Sequence, residues 1–199
     1  MVQFGDLDNQ NVVNIRHDTG FMELLNDGTV YEDLNFDPTR SGGPASQRPD
    51  EVIINNVIHS EFTNSNNQIC GAAEEIPHNA KIIGSPVHLP HAHIFLKSGE
   101  SSGTTGVEFT IHWELRDDAG TTFGSVVLSA TSAELAANPH KFTIYDPTGF
   151  AGSDELGAQV AITIERTGGN AGDVIVTSYG IHYEVDTVGS AEVAEKYPT

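Results

Sequence analysis

Val107-Glu-Phe-Thr-Ile-His-Trp-Glu-Leu115 decides the fold class. Val107, Phe109, Ile111, Trp113 and Leu115 fall on one face, and Glu108, Thr110, His112 and Glu114 on the other. Strict period-two alternation is the pattern of a half-buried β-strand. Asp117-Asp-Ala-Gly-Thr121 supplies a turn, and Thr122 to Ala130 is the expected returning strand of a hairpin.

The same pattern extends outward in both directions. Downstream, Gln159 to Arg166 places Val160, Ile162 and Ile164 inward, and Thr167-Gly-Gly-Asn-Ala-Gly172 forms a second hairpin-type loop. Asp173 to Val185 follows, with Ile175, Tyr179, Ile181, Tyr183 and Val185 assigned to one face. His140 to Tyr145 is a short strand closed by Asp146-Pro-Thr-Gly149. Upstream, Glu51 to Ile58 is expected as a strand that Val57 to Phe62 extends, followed by Lys81 to Ile83 and Pro90 to Leu96. Ser132 to Ala137 has the pattern of a helical turn, and Phe21 to Leu25 is a weaker second helical stretch. Short strands separated by turn clusters predict an all-β protein, a jelly-roll-like antiparallel β-sandwich. Phe109, Ile111, Trp113, Ile162, Ile164 and Ile181 are its predicted core.

The ends have a different texture. Residues 1–30 are polar with one β-like piece, and are expected to form an extended N-terminal arm; 31–186 hold the sandwich, and 187–199 a C-terminal tail. Pro38 to Pro49, rich in Gly, Pro, Ser and Arg, is a surface loop by composition.

Charge narrows the partners. The 199 residues include 28 Asp plus Glu against 9 Lys plus Arg, a formal charge of −19. Such a surface repels nucleic-acid phosphates and anionic lipid, so neither nucleic acid nor membrane is an expected partner. The start, Met1 to Asp6, has neither the basic residues nor the apolar run of a signal peptide, and no stretch reaches membrane-spanning length. The single Cys70 excludes an intrachain disulfide, and with no basic group adjoining it in sequence it is expected to be a small structural residue rather than a nucleophile.

Histidine is the residue type that invites chemistry. His88, His91 and His93 crowd into six residues, and His112 and His182 lie on the less apolar faces of the two best strands. If these strands share a sheet, His91, His93, His112 and His182 project from one side, as a metal site or as contacts between subunits. Neutral imidazoles suit zinc or a similar transition metal. Hydrogen bonding to Glu114, Glu184 and Thr110 is the simpler alternative. The His91-x-His93 pair also raises a cupin-type metal-dependent enzyme. The spacing from Gly84 and to Glu100 is longer than such motifs use, and no histidine closely follows Pro147-Thr-Gly149. There is no nucleophile elbow, no His-Glu-x-x-His and no phosphate-binding loop, so no catalytic residues are assigned and no cofactor is required.

Three stretches resemble a family of small structural proteins encoded by tailed bacteriophages. They are Val30-Tyr-Glu-Asp-Leu-Asn-Phe36, then Leu89-Pro-His-Ala-His93 with the strand Val107 to Trp113 behind it, and Gly180-Ile-His-Tyr-Glu-Val-Asp-Thr-Val-Gly-Ser190. In that family a Trp commonly follows the second His of the Pro-His-x-His element, where this chain has Ile94 and Phe95. The resemblance implies a non-enzymatic jelly-roll protein of the virion, located on the capsid surface, acting as a homotrimer that decorates or cements the shell. Its partners are then the major capsid protein and itself. Val12, Val13, Ile15, Phe21 and Leu24 in the arm are the expected capsid contacts, by strand addition to a neighbouring sheet edge. A tail-associated or receptor-binding β-module is the alternative within the same class.

Overall fold

The computed structural model describes residues 3–7, 11–15, 22–24, 30–64, 67–82, 84–138, 140–155 and 157–185, with side chains from residue 31 onward. The strands in chain order are β1 (Gln3–Leu7), β2 (Asn11–Ile15), β3 (Met22–Leu24), β4 (Val30–Phe36), β5 (Asp50–Ile54), β6 (Val57–Phe62), β7 (Ile69–Glu75), β8 (Val87–Leu96), β9 (Val107–Asp117), β10 (Gly120–Ala130), β11 (Phe142–Tyr145), β12 (Phe150–Ala151), β13 (Gln159–Gly169) and β14 (Val174–Val185), with α1 (Ser132–Ala137) after β10. All pairings between strands are antiparallel. The chain is an all-β sandwich of jelly-roll type.

One layer is a four-stranded sheet in the order β10-β9-β13-β7. The other is a seven-stranded sheet centred on β8 and β14. β14 pairs β8 along one edge, and along its other edge takes β6 at Val174 to Val176 and β4 at Tyr179 to Val185. β8 in turn takes β11 and β12 end to end on its outer edge, and β5 closes the opposite side on β6. The apolar faces of the two layers meet, with Phe109 of β9 edge-on to Phe62 of β6 at 5.4 Å. Phe109, Ile111, Ile162, Ile164 and Ile181 are fully buried, as the alternation predicts.

The hairpin that opened the sequence reading forms as expected, with Asp117 paired to Gly120 across its turn. Helix α1 also forms, closed by a capping box in which the Thr131 hydroxyl accepts from the Glu134 amide and the Glu134 carboxylate accepts from the Thr131 amide. Arg166 continues the inward parity of Val160, Ile162 and Ile164 and is fully buried. Its guanidinium donates to the carbonyls of Phe62, Ala171 and Gly172 at 2.7–3.0 Å, tying the β13–β14 loop to the opposite sheet. A charge so placed replaces water with three acceptors.

Several expectations change. Glu51 to Ile58 is not one strand: Asn55 and Asn56 both take positive φ (51° and 65°) and fold it into the β5–β6 hairpin. Two consecutive left-handed residues make the turn that matches strand twist, and Asn tolerates that region. Lys81 and Ile82 lie outside any strand, beyond an isolated bridge between Ala80 and Val185. Met22–Leu24 is a strand rather than a helical turn. Trp113 is only partly buried; it stacks flat on Phe150, with ring centroids 4.1 Å apart, at the margin of the core. Ile175 is not on the face of Tyr179 and Ile181, because a register shift between Val176 and Ser178 reverses the parity, and Val174 and Val176 point inward instead.

The described residues of the arm form β1, β2 and β3, a separate three-stranded antiparallel sheet with β2 in the middle. Phe21 and residues 186–199, including the expected tail, lie outside the described residues.

Candidate functional site

The site is built on the outer face of the seven-stranded sheet. Ala92 and Ile94 of β8 point into the core, so His91 and His93, which alternate with them, point out. On β14, Tyr179, Ile181 and Tyr183 point in, and Ser178, Gly180 and His182 point out. On β4, Leu34 and Phe36 pack inward, leaving Asp33 and Asn35 outside. Register aligns these into rows: Leu89, His182 and Asp33 form one, and Tyr145, His91, Gly180 and Asn35 the next.

Gly180 makes the second row work. A Cβ there would overlap the Leu34 carbonyl oxygen, so β4 approaches β14 in a way only glycine allows. With no side chain at Gly180, the His91 ring spans the gap and its Nε2 lies 3.0 Å from Asn35 Oδ1. His182 Nε2 lies 2.9 Å from Asp33 Oδ1. The His91 and His182 rings are 4.1 Å apart between centroids. One donor atom from each of Asp33, His91 and His182 lies within 4.8 Å of the other two. His93 stands beside this group, its ring centroid 5.0 Å from that of His91, with Nδ1 2.7 Å from Thr143 Oγ1.

Environment sets the ionisation. His91 is fully buried despite its place on an outer face, and burial, assisted by the neighbouring His182 and His93, pushes its pKa down to about 4. His93 is also lowered, by burial and then by Lys141. The pair therefore stays neutral at physiological pH. Flanking the group, Tyr145 is 58% exposed and Tyr31 38%, and Lys81 pairs with Glu184 at 2.9 Å.

His112 does not join. Its strand, β9, belongs to the four-stranded sheet, so it faces out on the opposite side of the sandwich, 3.4 Å from Glu165. The four-imidazole grouping expected from sequence therefore resolves into three histidines and an outlier. Alternation fixed each face correctly and could not assign strands to sheets. Asp33 and Asn35 were missed as members of the site; the acidic pattern of Val30 to Phe36 was a signal, without its position beside His182.

His88 is a different case. It points inward with Ala92, is 1% exposed, and lies edge-on to Phe150 at 5.4 Å. Burial lowers its pKa to about 4 as well. Cys70 is buried, and burial raises its thiol to about 12, which leaves it unreactive as the sequence suggested. Among the described residues, no helix is long and apolar enough to cross a membrane.

No family model matches the sequence, and no curated protein matches it. Among solved structures, the chain is similar to a xylan-binding module, CBM15, at 15% identity and a TM-score of 0.41, over 78% of this chain and 97% of that one. It is also similar to a xylanase, Xylanase10C from Cellvibrio japonicus in complex with xylopentaose, at 13% identity and a TM-score of 0.40. That match covers 75% of this chain and spans only 28% of the xylanase chain. A third is a module specific for non-crystalline cellulose, CBM28, at 10% identity and a TM-score of 0.36, over 67% of this chain and 79% of that one. These are distant likenesses of β-sandwich architecture.

Proposed function

We propose that the protein is a non-enzymatic structural component of a tailed-phage virion, a homotrimer that decorates or cements the capsid shell by binding the major capsid protein. The supporting observation is a convergence. Of the sequence blocks that resemble the phage proteins, Val30 to Phe36, Leu89 to His93 and Gly180 to Val185 fall on three adjacent strands, in the spatial order β4, β14 and β8, and Val107 to Trp113 lies on β9 of the other layer. The three blocks on the seven-stranded sheet are brought side by side although Tyr31 and Glu184 are 153 positions apart, which supports reading them together.

The rest of the molecule suits that role. The chain offers apolar side chains on open edges, with Ile53, Val57 and Ile58 exposed on the β5–β6 hairpin and Phe123 and Val127 exposed on β10. Edge strands carrying such residues are sites for association with other chains. A net charge of −19 per chain keeps free trimers apart until a complementary shell captures them. The N-terminal segment supplies the shell contact, and many symmetric copies add their individual contacts through avidity. Val12, Val13 and Ile15 lie on β2, already paired on both sides by β1 and β3. Strand donation to a capsid edge therefore falls to β1, or to β3 with Leu24, rather than to β2.

Cryo-electron microscopy of purified capsids mixed with the full chain, and separately with a chain lacking residues 1–30, tests the proposal. Symmetric density on the shell with the full chain only is the expected result. Bare capsids with both chains would overturn it, and density on tails would move the protein to the receptor-binding alternative.

A further inference from the structure

The outer-face cluster does more than the virion reading requires of it. Asp33, His91 and His182 come from three different strands, and their donor atoms converge within 4.8 Å of one another. The His91 and His182 rings lie 4.1 Å apart between centroids, close enough to present donors to one ion. Left alone, the group is held by the pairing of His182 with Asp33 and by the His91 Nε2 contact with Asn35. Two neutral imidazoles and a carboxylate are a complete donor set for a borderline divalent metal.

We propose that Asp33, His91 and His182 bind one divalent transition metal ion of the zinc class. His91, held by burial and by Asn35, is the fixed ligand. His182 is half-buried and Asp33 exposed, so the remaining coordination positions open toward solvent. Zinc needs donors at ~2.0–2.1 Å, which small rotations of Asp33 and His182 supply. Each imidazole ligates in its neutral form through the ring nitrogen that carries no proton. The ion would join β4, β14 and β8 across the sheet. His93, engaged by Thr143, lies next to the triad and is not assigned as a ligand. This proposal stands independently of the virion role, because metal uptake is read on the isolated protein.

The test is isothermal titration calorimetry of chelator-stripped full-length protein with Zn²⁺, alongside H182A, D33N and H112A. The expected result is saturable binding of one ion per chain, roughly 100-fold weaker in H182A and D33N. H112A is expected to bind as the parent does, because His112 lies on the opposite layer. Co²⁺ titration gives a second readout: visible absorption bands of a nitrogen-ligated ion, lost in H182A and D33N. Circular dichroism of each metal-free variant checks folding, and the exposed Asp33 keeps the test valid if H182A misfolds. The absence of saturable uptake, equal uptake in all four proteins, or a loss confined to H112A would each overturn the proposal.

Discussion

The two outer faces of the sandwich carry histidines placed by the same rule and ending in opposite circumstances. His112 on the four-stranded layer is about half exposed and faces Glu165 across a neighbouring strand. His91 on the seven-stranded layer also points away from the core, yet it is fully buried and neutral. Alternation is identical in both strands. What differs is the company: His91 has a glycine beside it on β14, a second imidazole on the same strand, and β4 drawn close behind. An outward direction along a strand does not by itself make a surface residue. Side-chain size in the adjoining strands decides that.

The glycine is the point at which the comparison breaks most violently. Gly180→Ala places a methyl group against the Leu34 carbonyl, a backbone atom that cannot rotate away. The expected loss is about 3 kcal/mol or more in urea-induced unfolding, together with loss of the His91–Asn35 hydrogen bond. A G180A protein that unfolds at the parent urea concentration would show that β4 does not approach as described.

His88 supplies an inward-facing reference for both. Its folded-state pKa of about 4 lies below the ordinary value of 6.5, so between those pH values the unfolded chain binds more protons than the folded one. Stability is fully present above the unfolded value and falls as pH drops through this window, by about 2–3 kcal/mol from this side chain. Chemical denaturation at pH 7, 5.5 and 4 measures the slope. His88→Leu is expected to flatten it, and an unchanged slope would mean that His88 is hydrated in the native state.

How much of this was legible depended on which physical rule carried the information. Strand faces follow from local alternation, so Val107 to Leu115 and the core residues Ile162 and Ile164 were read from the chain alone. Sheet membership depends on pairing at a distance, so His112 was grouped with histidines on the other layer. The Asn55-Asn56 turn was written in the sequence as two residues that accept positive φ, within a run of β-branched residues that disguised it. The register shift after Val176 had no local mark, and it moved Ile175 to the other face. Trp113 illustrates a subtler limit: its parity is inward, but its indole extends past the core to lie on Phe150. The site was half visible, because histidines announce themselves and the Asp33 and Asn35 that complete it do not.

The four-stranded layer should tolerate change better, and Gly124 tests this first. A Cβ there would stand 2.6 Å from Trp113 Cζ2, a side-chain atom at the margin of the core. The indole can shift, so Gly124→Ala is expected to cost about 1 kcal/mol, well below the Gly180 variant. The smallest effect belongs to His112→Ala. Its contact with Glu165 is 3.4 Å long and solvent-screened on one side, and such pairs contribute roughly 0–1 kcal/mol. Stability within about 0.5 kcal/mol of the parent is the expected outcome. A larger loss would show that the two faces are alike after all, with His112 held by groups beyond Glu165, and the asymmetry that singles out the seven-stranded layer would disappear with it.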